Sequence, residues 1–573
     1  MKRPSKFRIF LLVVLAVLLA MAFLQDRAGP EISPGSTLVL EIGGEYVEAA
    51  QPSLIARALG EDQRSFVSLL STLAMAERDD RLAAVVLVIR PLQIGWGKAD
   101  ELRAAVGRLG DAGRKTVAFL EVASFSATRE YYVATAADEV YVVEGGAVPV
   151  VGLAAEYLFL GGLWEKLGVG FEVGKAGKYK SAVESYTGRG MSEPTREMAE
   201  SLLDSANGAF LDAIAEGRGM DRTSVVAAID RGPVLPVELV VQGLADGSLH
   251  LDELLEDMPG EIVRHDTYAG VLPAEVGFRP VASVALVYGS GPVVQGRGSR
   301  SWGGGPVMAS KTIAETIAQA AEDPQIDAIL LRIDSPGGSA LAAEEIWRAI
   351  VAAREHGKPI VASFSDLAAS GGYYVAAAAD GVVSNGGTLT GSIGVFALRP
   401  LMGGALDKLG VARESMTRGA YADFLLASEP LSDGARARLQ GIVQSTYELF
   451  LERVAEGRPL EVGQVDTVAQ GRVWAGRQAF EIGLVDEVGG LRAAVDRIRR
   501  SLDLDPDADV ELVARPAPKR LSEELAELLE ARLARVVYEA LPLPRGFGWI
   551  DSLLATVSAD GPLLVPPVLV EIR

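Results

Sequence analysis

Ala127-Thr128-Arg129-Glu130-Tyr131-Tyr132-Val133-Ala134-Thr135-Ala136-Ala137-Asp138 returns later in the chain as Ala369-Ser370-Gly371-Gly372-Tyr373-Tyr374-Val375-Ala376-Ala377-Ala378-Ala379-Asp380. The offset is 242, from Thr128 to Ser370. Lys166-Leu167-Gly168-Val169 and Lys408-Leu409-Gly410-Val411 repeat at the same offset, and Gly177-Lys178-Tyr179-Lys180 faces Gly419-Ala420-Tyr421-Ala422. Three matches at one offset are hard to obtain by chance. A period this long is not a solenoid, so the 573-residue chain reads as two tandem homologous domains.

Outward from these segments, apolar runs of strand length (Ala84–Ile89, Ala328–Ile333, Pro359–Ser363) alternate with helical patterns (Met198–Glu216, Ala340–Arg354). That rhythm predicts an α/β fold with a largely parallel sheet in each half. The expected division is a basic stub and apolar segment over 1–30, a first repeat over 31–275, a second over 276–504, and an extension over 505–573. Gln295–Pro306 is rich in Gly and Ser and reads as a mobile loop. In the extension, Leu521, Leu525, Leu528, Leu529, Leu533, Val536 and Val537 fall at helical spacing and predict an amphipathic helix.

Lys2, Arg3, Lys6 and Arg8 precede an uninterrupted apolar run of 16 residues, Ile9–Leu24. This arrangement predicts an N-terminal transmembrane helix with a cytoplasmic start. A cleaved signal ending near Ala20-Met21-Ala22 is the alternative. The bulk of the chain is then expected outside the cytoplasm, tethered at one end.

Composition excludes several chemistries. The net charge is −21 and no basic stripe follows the first residues, which argues against a nucleic-acid partner. There is no cysteine, so thiol catalysis, disulfides and cysteine-type zinc sites are out. His250, His265 and His356 are the only histidines, and no HExxH pattern occurs. No metal, nucleotide or other cofactor is implied.

Ser370-Gly371-Gly372 lies between a strand-like and a helix-compatible segment (Tyr373–Ala379). Glycines there let a substrate backbone approach, and a helix start offers N–H groups to a developing oxyanion. Asp334-Ser335-Pro336-Gly337-Gly338, directly after an apolar strand, is a second source of inward N–H groups. A serine nucleophile needs a base. No histidine is near these motifs, which leaves lysine, provided burial lowers its pKa. The repeat separates the two groups. The second half has Ser370 but Ala422, whereas the first has Thr128 but Lys180. The two halves are therefore expected to share one active site, while Lys175 and Lys178 read as surface lysines.

With these motifs, together with Tyr179-Lys180-Ser181-Ala182-Val183-Glu184 and Leu389-Thr390-Gly391-Ser392-Ile393-Gly394, the sequence resembles the long form of signal peptide peptidase A. These are bacterial serine–lysine peptidases related in fold to the Clp protease and crotonase group, and the resemblance covers nearly all of residues 1–500. It implies Ser370 as nucleophile, Lys180 as general base, Ser392 as the group holding the lysine amine, and Gly337, Gly338 and Gly371 around the oxyanion. It further implies cleaved signal peptides as substrates, a homotetrameric ring or bowl, and a single-pass location in the inner membrane with the catalytic bulk on the periplasmic side. The extension after residue 505 does not follow that pattern. Two other readings compete: a catalytically degenerate membrane-tethered scaffold, and a crotonase-type acyl-CoA enzyme. Contact between the Ser370 hydroxyl and the Lys180 amine, at roughly 2.6–3.2 Å, separates them from the peptidase.

Overall fold

The computed structural model describes residues 29–48, 64–122, 125–298 and 305–516, together with the short strands Leu563–Leu564 and Val570–Ile572. The apolar run Ile9–Leu24, residues 299–304 of the Gly/Ser-rich loop and the leucine pattern over 521–541 lie outside the described residues. Among the described residues, no helix is long and apolar enough to cross a membrane.

In the first half, Ser36–Val47 (β1), Leu82–Gln93 (β2), Lys115–Leu120 (β3) and Glu139–Val143 (β4) pair in sequence order, all parallel. The chain then leaves this sheet as Gly170–Ala176 (β5) and returns as Gly247–Leu249 (β6), parallel to β4. A parallel sheet is covered on both faces, which is why Val85 to Ile89 are all apolar and wholly buried.

The second half repeats the scheme. Ala282–Ser290 (β7), Ala328–Ser335 (β8), Ile360–Ala369 (β9) and Gly381–Ser384 (β10) pair in order and in parallel. Leu389–Gly391 (β11) runs beside the end of β9. Val395–Leu401 (β12) then leaves the sheet, while Val473–Ala475 (β13) pairs antiparallel with β11 and Val510–Arg515 (β14) pairs parallel with β7. The second sheet thus continues to Arg515.

Local signals set most element ends. Ser192 accepts a hydrogen bond from Thr195 N and starts the helix Glu193–Arg218 a turn earlier than its apolar pattern suggests, with Pro194 tolerated in the first turn. Ser432 caps Asp433–Gly457 in the same way, and Ser339 caps Ala340–Arg354. β9 outruns its expected end at Ser363, because the polar residues that follow find partners in the first half: Ser365 bonds Glu48, and Asp366 bonds Lys98.

One crossing positions the site. β5, from the first half, pairs antiparallel with β12, from the second, with Ala176 opposite Val395 and Gly170 opposite Leu401. Lys180 follows the end of β5 by four residues, and Ser392 precedes the start of β12 by three. The ladder therefore brings these two residues to the same place.

Candidate active site

Ser370 stands between the end of β9 and the helix Gly371–Ala376. Its backbone has φ 55° and ψ −114°, in a region non-glycine residues rarely adopt. Such a conformation costs roughly 1–3 kcal/mol and persists only when the surroundings impose it. Here Ser370 N donates to Gly391 O at 2.7 Å, and Tyr374 N donates to Ser370 O at 2.8 Å. The helix begins two residues before the expected Tyr373 and is only six residues long, because the chain must turn into β10 at Gly381.

The glycines around Ser370 answer a spatial need. A Cβ on Gly371 would stand 3.1 Å from Gly338 N, and one on Gly372 would stand 3.0 Å from Ser335 O. A Cβ on Gly338 would meet Val293 O at 2.1 Å. Gly337 has φ 93°, which favours glycine. The turn Asp334–Gly338 and the start of the helix thus pack backbone against backbone beside Ser370.

Lys180 is wholly buried. Its Nζ lies 2.7 Å from Ser370 Oγ, 2.8 Å from Ser392 O and 3.0 Å from Ser392 Oγ. Ser392 is also held in a left-handed conformation, φ 52°, and its N–H donates to Arg472 O at 2.7 Å. Among the described residues no carboxylate touches the Lys180 amine, and burial pushes its pKa well below the ordinary lysine value. A neutral amine has two N–H groups and one lone pair. Donation to the two Ser392 oxygens leaves the lone pair for the Ser370 hydroxyl.

A second buried lysine shows the opposite outcome. Lys98 Nζ contacts Asp334 at 2.6 Å, Asp366 at 2.9 Å and Glu48 at 3.2 Å. Burial pulls its pKa down, but these three carboxylates outweigh it and hold the amine well above the usual range. The two buried lysines are thus shifted in opposite directions, Lys98 upward by its carboxylates and Lys180 downward by burial.

The motif residues Ser370, Gly371, Gly337, Gly338, Lys180 and Ser392 all meet in this one region. Lys178 is exposed, with its amine 4.8 Å from the Tyr179 ring centre, and Lys175 is half-buried near Glu184. His250 and His356 are exposed and His265 is half-buried, and the Lys408 amine bonds the Glu165 and Lys166 carbonyls.

Two groups near the site escape sequence reading. The first is Gln470-Gly471-Arg472. Gln470 O accepts from Tyr179 N at 2.8 Å, and a Cβ on Gly471 would stand 2.5 Å from Lys180 N. The Arg472 guanidinium lies over the rings of Tyr179 and Trp474 and bonds Glu197. This segment clamps the lysine backbone against the Ser392 turn. The second is a charge network behind the Asp334–Gly338 turn. Wholly buried Arg332 bonds Glu48 at 2.8 Å and Glu101 at 2.6 Å. Burial pushes Glu48 upward, but Arg332 and Lys98 prevail and hold its pKa at about 2. A signal for this network was present: Arg332 and Asp334 interrupt an apolar strand, and charges in a strand covered on both faces need partners.

A strained serine at a strand-to-helix turn of a parallel sheet, with a buried lysine amine against its hydroxyl, is an arrangement that serine hydrolases use. Residues 109–259 and 352–505, just over half of the chain, match the family model for peptidase family S49. The chain belongs to that family and is a serine peptidase with two S49 regions, the first containing Lys180 and the second Ser370. It is 34% identical over 466 residues to the chloroplastic serine protease SPPA of Arabidopsis thaliana, covering 79% of this chain and 68% of that one. It is 28% identical over 535 residues to protease 4 of Haemophilus influenzae, covering 86% of this chain and 84% of that one. A solved structure of a ClpP1 mutant from Listeria monocytogenes matches more remotely, over 37% of this chain and 94% of that one, at 14% identity and a TM-score of 0.23.

Proposed function

We propose that the peptidase is a membrane-anchored endopeptidase that degrades cleaved signal peptides with Ser370 as nucleophile and Lys180 as general base. The observation that carries this reading is the 2.7 Å contact between Lys180 Nζ and Ser370 Oγ, both buried. Neutral Lys180 removes the Ser370 proton as the oxygen attacks the peptide carbonyl. The backbone N–H groups around Gly337, Gly338 and Gly371 receive the oxyanion. Protonated Lys180 then supplies the leaving amine. Water, activated by the same lysine, hydrolyses the acyl-enzyme. Ser392 orients the amine throughout.

The apolar run Ile9–Leu24, after its four cations, supports an anchor at a bacterial inner membrane with the catalytic bulk on the periplasmic side. An anchor there keeps the enzyme where apolar leftover peptides reside. The proposed assembly is a homotetramer, and the proposed division of labour is a first repeat over 31–275 supplying the lysine and a second over 276–504 supplying the serine. The test is hydrolysis of a fluorogenic apolar peptide by the full chain in detergent, with Ser370→Ala and Lys180→Ala beside the wild type. Both variants are expected to be inactive and to keep the wild-type assembly state. Full activity in Lys180→Ala would remove the lysine from the mechanism.

A further inference from the structure

Arg472 reaches the surroundings of the Lys180 amine from two sides. Its carbonyl accepts from Ser392 N at 2.7 Å, and Ser392 in turn holds the Lys180 amine through both of its oxygens. Its guanidinium lies 5.0 Å from the ring centre of Tyr179, the residue before Lys180, and 4.4 Å from that of Trp474. Glu197 closes the contact into a ring, accepting from Arg472 at 2.6 Å and from Tyr179 Oη at 2.9 Å. The Lys178 amine also lies over the Tyr179 ring, at 4.8 Å. The Arg472 side chain is only 15% exposed, and its buried Nε has no hydrogen-bond partner among the described residues. Two aromatic faces take the place of that bond.

The first half shows which part of this arrangement is scaffold. Val150, 242 residues before Ser392, donates its N–H to Pro233 O at 3.1 Å. A glycine of left-handed φ precedes each acceptor, Gly232 at 62° and Gly471 at 77°. The backbone bond is thus made by a proline as well as by an arginine. It does not account for a guanidinium stacked on and paired beside the residue that precedes Lys180. Backbone strain gathers at the same place. Four non-glycine residues among those described have positive φ, and three of them, Ser370, Ser392 and Gln470, adjoin Lys180 or Tyr179. Gln470 donates its N–H to Tyr447 Oη and its side-chain amide to Asp466, and accepts from Tyr179 N at 2.8 Å.

We propose that the Arg472 side chain is a positioning residue for the general base, acting through Tyr179 to hold the Lys180 amine against Ser370 and Ser392. This rests on the peptidase reading above, in which Lys180 is that base. A base must stay within a hydrogen bond of its nucleophile, and a displacement of about 1 Å can cost about 10²-fold in rate. Lys180 and Tyr179 come from the first half and Arg472 from the second, so the support crosses between the halves as the dyad does.

The experiment compares full-length wild type with full-length Arg472→Met, which keeps the backbone carbonyl and most of the stem but loses the charge and the planar face. With the fluorogenic apolar peptide, kcat is expected to fall about 10–100-fold while KM stays within about twofold. The acid limb of kcat/KM is expected to move up by about one pH unit, because a loosened amine is better solvated and takes a proton more readily. Arg472→Met combined with Tyr179→Phe is expected to lose less than the product of the two single losses, since both act on one ring. An unchanged kcat, or a lower kcat with the acid limb unmoved, would overturn the proposal; multiplicative losses would overturn the route through Tyr179. A second arm needs no turnover. Thermal melts from about pH 10 towards neutrality compare Lys180 with Lys180→Met, in chains with and without Arg472→Met. The stability that Lys180 loses as pH falls is expected to shrink in the Arg472→Met background, and an equal loss in both backgrounds overturns the proposal. If Lys180→Ala proves fully active, the dyad reading fails, and the melts still decide whether Arg472 holds the amine in place.

Discussion

In the first half, Tyr131 Oη donates to Leu244 O at 2.6 Å; in the second, Tyr373 Oη donates to Leu484 O at 2.7 Å. Asp246 accepts from Val140 N and pairs with Arg218, while Asp486 accepts from Val382 N and pairs with Arg458. Gly217 packs on the Thr135 carbonyl and Gly457 on the Ala377 carbonyl, each too closely for a side chain. The scaffold is thus duplicated down to single hydrogen bonds. The sites are not. Thr128 is the first residue of its helix, with its hydroxyl donated to Gly152 O at 3.1 Å, whereas Ser370 stands outside its helix in a strained conformation. Glu130 occupies the position of Gly372, and its carboxylate accepts from Leu92 N at 2.6 Å, against the turn that matches Asp334–Gly338. Burial raises the pKa of that carboxyl. A side chain therefore fills the space that glycine leaves open in the second half. The comparison teaches that packing preserves a fold without preserving its chemistry, which here rests on a few positions.

The sharpest way to break this contrast is to exchange roles. Ser370→Ala is expected to lower kcat by on the order of 10⁴–10⁶-fold, and Thr128→Ala to leave it unchanged in the same peptide assay. Substantial loss in the Thr128 variant would mean that the first half retains chemistry of its own. Two strand arginines in opposite surroundings, one in each half, give the next effect. Arg332→Met takes from buried Glu101 its arginine partner and leaves buried Glu48 with Lys98 alone, and is expected to destabilise by about 3–5 kcal/mol. Arg90, in β2 of the first sheet and paired with Glu41 and Glu121 at a surface where its side chain is 47% exposed, is expected to cost about 0–1 kcal/mol when replaced by Met. Denaturant unfolding of both variants checks this, and equal losses would contradict it.

Gly371→Ala places a methyl group against Gly338 N and is expected to reduce kcat by about 10²–10³-fold, the scale of losing one oxyanion donor. Retained activity would exclude this backbone contact from the mechanism. The smallest effect concerns pH. The Lys180 pKa is lowered in the folded chain, so below the ordinary lysine range the unfolded state binds a proton that the folded state refuses. Wild-type stability should therefore fall relative to Lys180→Met as pH drops from about 10 towards neutrality. Activity should fall in the same direction once Lys180 begins to protonate. Thermal melts of the two proteins across this range test the first statement; a constant difference between their midpoints would mean that Lys180 is charged when folded.

Much of this was legible beforehand. The β8 strand and the helix Ala340–Arg354 follow directly from apolar periodicity, and the duplication separates a serine half from a lysine half. The full length of β9 was not legible, because Ser365 and Asp366 look like the end of a strand until Glu48 and Lys98 arrive from the other half. Gln470-Gly471-Arg472 was not legible either. Nothing local to it reveals that its backbone presses on Lys180, in a segment almost 300 residues away.

The sequence by itself determined the duplicated α/β scaffold, the Ser-Gly-Gly start of a helix and the pair of residue types able to form a dyad, because strand and helix periods and glycine's freedom are local properties. Only the tertiary structure brought Lys180 within 2.7 Å of Ser370 across 190 residues, through the pairing of β5 with β12. It alone also decided that the Lys180 pKa is pushed down while that of Lys98 is held up, since a buried amine's titration depends on which distant carboxylates the fold sets beside it.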